Sequence, residues 1–148
     1  MRREQLSARP GWREIVINQG LSFPDTPRPD GSVTPYWMDD VAYEFTIEQI
    51  EQLEAVTAQL WDMSLKTVEH VLRQGNLADF GLPASALDYL RWSWDTQQPT
   101  VYGRFDVAWD GIGQPKLLEF NADTPTGLIE SSVCQWFWLN DQKPGHDQ

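Results

Sequence analysis

The sequence has one cysteine, Cys134, so no disulfide can form within the chain, which fits a reducing, cytoplasmic setting. It has three lysines and eight arginines against 22 acidic residues, a formal net charge of −11. That balance argues against nucleic acid and anionic membrane as partners, since both need a basic patch. The two histidines, His70 and His146, are far apart, so neither reads as a metal ligand. No apolar run approaches the ~20 residues of a membrane span. The opening "MRREQLSARPGWRE" is basic but lacks the apolar stretch of a secretory signal. There is no internal repeat.

What is abundant is tryptophan, with eight in 148 residues. Large core and interface rings are the plain explanation. Cys134 sits in an apolar stretch and reads as a buried, inert thiol. The length suits one domain over residues 1–148 with a real core.

Residues 1–20 are polar, with anchors at Trp12, Ile15, Val16 and Ile17. Residues 21–36 hold four prolines and a glycine and read as a loop. Thr46 with Gln49 then makes a capping-box pattern. Ile47, Ile50, Leu53, Val56, Leu60, Met63, Val68 and Leu72 recur mostly three or four apart, which predicts a helix of about 28 residues with one apolar face, stopped at Gly75-Asn76. A second helix is expected over 84–94 and a last one over 126–140, capped by Thr124 or Thr126. The tail 141–148 is polar and is expected to fray.

Between these helices, "YGRFDVAWDG" and "QPKLLEFNAD" read as two strands joined at Asp110-Gly111-Ile112-Gly113. Side chains alternate faces along a strand. A loop over 111–114 sets Phe105 opposite Phe120 and Val107 opposite Leu118, making one apolar face. On the reverse face Asp106 meets Glu119, and Arg104 meets Asn121. Two carboxylates directly across a ladder repel. They persist if a cation lies between them, if an arginine neutralises them, or if one stays protonated. Oxygen donors from Asp106, Glu119 and Asn121 suit a hard ion such as Mg²⁺. The plainer alternative is an Arg–Asp–Glu salt-bridge network on a wet face.

"NADTPTG" follows, between strand and helix. The hydroxyls of Thr124 and Thr126 and a helix N-terminus suit a carboxylate or phosphate. Alternatively Asp123 and the threonines only shape the turn. The stretch is not a P-loop, because the Gly-Lys-Ser/Thr end is missing.

"YGRFDVAWDG", "KLLEFNADTPTGLIES" and "QWFWL" together resemble the glutathionylspermidine synthase family in its shorter, amidase-free branch. The long helix and "RPGWRE" extend the resemblance over nearly the whole chain. It implies an α+β, ATP-grasp-like (pre-ATP-grasp) fold, with long helices packed on a hairpin-containing sheet. It also implies a ligase that joins a small peptide-like carboxylate to an amine with ATP and Mg²⁺.

On that resemblance, Arg104 is the catalytic residue that meets the reacting carboxylate. Asp106, Glu119 and Asn121 fall at magnesium-ligand positions. Thr124 and Thr126 fall where the family's glutathionylspermidine synthases place serines that contact glutathione. Threonine for serine, with Pro125 between, leaves the substrate pair open. Family synthetases are longer, and Lys66, Lys116 and Lys143 do not make a nucleotide loop. The chain is therefore expected to be the front portion of such an enzyme and not to ligate alone. Two other functions compete. One is a non-catalytic binding module that covers its open edge and exposed Trp136 and Trp138 by self-association or with another chain. The other is a structural α+β domain.

Overall fold

A computed structural model describes residues 1–74 and 77–148, apart from the side chain of residue 78. The expected stop at Gly75-Asn76 lies outside the described residues. The architecture is α+β, with helices and three two-stranded sheets among the described residues. The chain groups into two compact units, Met1–Thr46 with Asn121–Gln148, and Ile47–Phe120.

The first unit holds strands β1 (Arg2–Gln5), β2 (Asp25–Pro27), β3 (Val33–Pro35) and β4 (Val41–Glu44), with helices α1 (Trp12–Asn18) and α4 (Gln135–Gln142). β1 and β4 pair antiparallel, with Arg2 opposite Glu44 and Gln5 opposite Val41. β2 and β3 form a hairpin in which Thr26 faces Thr34. Its prolines, Pro27 and Pro35, sit at the strand ends, where a missing N–H costs no interior ladder bond. This corrects the reading of 21–36 as a loop. Its prolines do punctuate the chain, but Asp30 accepts from the Ser32 amide (2.9 Å) and turns it back on itself. The β1–β4 pair was not foreseen, because charged residues dominate β1.

The core of this unit is small. Val16, Leu21 and Cys134 are fully buried, and Trp12, Trp37 and Ile129 pack against them. Burial pushes the Cys134 thiol above its ordinary value, as expected of an inert cysteine. Trp138 is also buried, and its indole N–H donates to the Asp39 carbonyl at 2.7 Å. That corrects the expectation of an exposed Trp138; Trp136 is half exposed. A π-helical turn over Glu130–Cys134 leads into α4. The tail is tied down as well, since Lys143 pairs with Glu4 and Glu44 and the Gln142 side chain donates to the Ser7 carbonyl at 2.9 Å. The fraying expectation fails because a polar composition does not reveal ion partners so distant in sequence.

The second unit contains α2 (Ile47–Gln74), a 3-10 turn (Leu77–Phe80), α3 (Ala84–Asp95), and the paired strands β5 (Arg104–Ala108) and β6, which starts at Lys116 and ends at Asn121. Helix α2 runs the 28 residues that its apolar spacing predicts. Between the strands the Asp110 carboxylate accepts from the amides of Ile112 and Gly113, both at 2.9 Å. Gly111 takes a φ of 86°, where a side chain is strained. From α2, Gln49 donates to the Gly111 carbonyl (2.8 Å) and Gln52 to that of Gly113 (3.0 Å). The helix therefore holds the hairpin loop.

Candidate active site

The apolar side of the hairpin positions its polar side. Phe105 of β5 stacks on Phe120 of β6 with ring centroids 4.2 Å apart, and Trp61 of α2 meets Phe120 edge-on at 6.2 Å. Because faces alternate, Arg104, Asp106 and Glu119 lie on the opposite side. There the Arg104 guanidinium forks onto Asp106, with Nε–Oδ1 at 2.7 Å and Nη2–Oδ2 at 3.0 Å. Arg104 Nη2 also stands 3.7 Å from Glu119 Oε1.

Arg104 thus stands beside both carboxylates, Asp106 and Glu119. The Arg104 hydrogen bonds hold the Asp106 carboxyl below its ordinary value; partial burial opposes this, and a hydrogen bond with Glu119 adds to it. Arg104 is raised in turn, mainly by Asp106. Side chains of Arg104 and Asp106 are about one third exposed (33% and 36%) and that of Glu119 is 58% exposed, so the cluster is open to a ligand.

Asn121 closes β6 and belongs to the first unit, as do Thr124 and Thr126. Both threonines are exposed in the connection that leads to the π-helical turn. Among the described residues, no group of three or more His, Cys, Asp and Glu side chains gathers as a metal site. The two carboxylates of Asp106 and Glu119 are nevertheless hard oxygen donors of the kind Mg²⁺ takes. Both Asp106 oxygens accept from Arg104, so a cation bound there would compete with that guanidinium for them.

Sequence reasoning missed a second polar cluster. Arg9, 7% exposed, donates from Nη2 to Asp39 Oδ2 at 2.7 Å and from Nη1 to Asp141 Oδ2 at 2.8 Å. The Trp37 indole also donates to Asp39, at 3.0 Å. "RPGW" carried a faint signal, an arginine among apolar anchors, but its partners are distant in sequence. No helix among the described residues is long and apolar enough to cross a membrane.

The chain belongs to the glutathionylspermidine synthase preATP-grasp family, whose description matches residues 3–148. A Haemophilus influenzae protein described as "Putative acid–amine ligase" is 38% identical over 131 residues, 88% of this chain and 33% of that protein. Trypanothione synthetase of Crithidia fasciculata is 33% identical over 86 residues, 57% of this chain and 13% of that enzyme. The chain thus spans about a third or less of these relatives.

Proposed function

We propose that this chain is the front portion of an ATP-dependent carboxylate–amine ligase that forms a C–N bond through an acyl phosphate. The reading rests on one observation, the gathering of Arg104, Asp106 and Glu119 on one side of a hairpin in a chain of this family. A guanidinium already forked onto a carboxylate has the geometry to take a substrate carboxylate or phosphate instead. Arg104 would exchange Asp106 for the acyl group and neutralise charge as a carboxylate oxygen attacks the terminal phosphorus of ATP and ADP leaves. The amine nitrogen then attacks the acyl carbon. The C–O bond breaks, phosphate departs with the electron pair, and the nitrogen loses a proton.

Asp106, Glu119 and Asn121 would hold Mg²⁺, which when bound offsets the charge of the transferring phosphate. Thr124 and Thr126 would donate hydroxyl hydrogen bonds to a small peptide-like acyl substrate. A cytoplasmic setting accompanies this reading.

Thermal melting with added Mg²⁺ tests it. Stabilisation of the wild type that is lost in Asp106→Asn and in Glu119→Gln, and kept in Asp95→Asn, supports the site. Equal responses in all four proteins reduce the cluster to a salt-bridge network. The competing reading, a non-catalytic binding module, draws on the half-exposed Trp136 and Phe137.

A further inference from the structure

Two buried oxygens of the first unit, Gln19 Oε1 and Glu130 Oε2, have no hydrogen-bond partner among the described residues. Folded chains rarely leave such acceptors unpaired, and a carboxylate oxygen is the costlier of the two. Their segments touch. Gln19 closes α1 and Glu130 opens the π-helical turn. Next to them, a methyl group added at Gly20 would come 3.2 Å from Ile129 Cδ1.

An aromatic pair stands at the same carboxylate. The Tyr36 hydroxyl donates to Glu130 Oε1 at 2.7 Å, and the Tyr36 ring packs on Phe23 with centroids 5.3 Å apart. Tyr36 is 45% exposed and Phe23 52%, so this edge meets solvent. Glu130 thus has a neutral phenol as donor at one oxygen and no donor at the other. π-helical turns are frequent at functional sites. This one begins four residues beyond Thr126, which the proposed ligase assigns to the acyl substrate.

We propose that Glu130 and Gln19 form a subsite for a primary ammonium group, which enters as the Tyr36 hydroxyl leaves Glu130. An ammonium carries three donors and no acceptor, which suits a carboxylate and an amide oxygen that both lack donors. At Glu130 it replaces a neutral donor with a charged one, a bond roughly twice as strong. The rings of Tyr36 and Phe23 flank the entry with faces that favour a cation. A divalent metal fits less well, since Ca²⁺ takes about six to eight oxygens and Mg²⁺ dehydrates reluctantly. The inference rests on the ligase reading only for the source of the ammonium, the acyl substrate or the amine.

Titrations followed by amide chemical shifts test it, with butylamine, butan-1-ol, glycylglycine and N-acetylglycylglycine as probes. Saturable shifts at Gln19, Tyr36 and Glu130 are expected with butylamine or glycylglycine and not with the two uncharged-end analogues. Tighter binding of glycylglycine assigns the ammonium to the acyl substrate, and tighter binding of butylamine assigns it to the amine. Glu130→Gln should weaken binding about ten-fold, and the exposed control Glu14→Gln should not. The Glu130→Gln amide still accepts from Tyr36, so the variant should keep the wild-type melt. Gln19→Met should weaken binding roughly three-fold without lowering the melt. Tyr36→Phe removes the competing hydroxyl and should bind at least as tightly as the wild type. Absence of saturable shifts, equal shifts with butan-1-ol, or full affinity in Glu130→Gln overturns the inference. So does a lowered melt in Gln19→Met, because its amide would then already serve Glu130. Saturation at Gln19 and Glu130 by MgCl₂ but not by butylamine makes the ligand a metal and overturns it too. Ammonium binding without a Mg²⁺ response at Asp106 and Glu119 keeps the subsite and removes the ligase reading. A Mg²⁺ response without Glu130-dependent binding does the reverse.

Discussion

The Arg9 side chain and the Asp39 carboxylate, 30 residues apart in sequence, form a buried ion pair closed at both oxygens. Burial alone would raise the Asp39 carboxyl. The Arg9 and Trp37 hydrogen bonds outweigh it and hold the group below its ordinary 3.8. The stability this contributes is fully present above the ordinary carboxylate range and is lost as pH falls through the lowered value. Arg9→Met leaves the carboxylate buried without its cation. It should cost about 3–5 kcal/mol, read as a lower urea midpoint at pH 7. Asp39→Asn should cost less, because Asp141 still faces Arg9.

A more exposed cluster sets the acid limit of the same unit. Lys143, then Arg2, lower the Glu44 carboxyl from 4.5 to about 2. Stability from Glu44 is complete above pH 4.5 and fades as pH falls toward 2. Lys143→Met removes the largest cause. Its acid-unfolding midpoint, followed by tryptophan fluorescence, should move to higher pH. Lys143 itself is raised above 10.5, so the wild type should show no loss from this group between pH 6 and 9.

The hairpin loop gives a backbone test. Gly111 combines a φ of 86° with burial, and its carbonyl accepts from Gln49. Gly111→Ala should destabilise by roughly 1–2 kcal/mol from the left-handed conformation alone. Gln49→Ala should loosen the loop without altering its preferred backbone angles. Hydrogen exchange at Ile112 and Gly113 should rise in both variants.

What the sequence discloses depends on how far its signals reach along the chain. Helix α2 was legible because its eight apolar positions recur mostly three or four residues apart. The hairpin was legible because Asp110-Gly111 separates two alternating runs, and the stacking of Phe105 on Phe120 follows from that alternation. Arg104, Asp106 and Glu119 could be placed together because strand pairing is local there. The Arg9–Asp39–Asp141 cluster and the Lys143 ion pairs were not legible, since they join residues 30 to 139 apart and no periodicity encodes them. The β1–β4 ladder was hidden for a related reason. Its first strand carries charges such as Arg2, which pairs with Glu44, and not an alternating apolar run.

The site itself offers the sharpest test, because Arg104 occupies the oxygens a metal would need. If Asp106 and Glu119 hold Mg²⁺, their affinity for it is set against the guanidinium that forks onto Asp106. Arg104→Gln removes that competitor and leaves two carboxylates repelling each other, which a divalent cation relieves. The variant should melt at a lower temperature than the wild type without metal. It should gain more from Mg²⁺, with a Kd at least three-fold tighter by calorimetry. It should also bind ATP-independent carboxylate ligands, such as a small peptide, more weakly, since the fork that would receive them is gone. A salt-bridge network without metal function predicts a different result. Arg104→Gln would then lose stability and recover none of it with Mg²⁺ beyond the general effect of ionic strength, which NaCl at matched ionic strength measures.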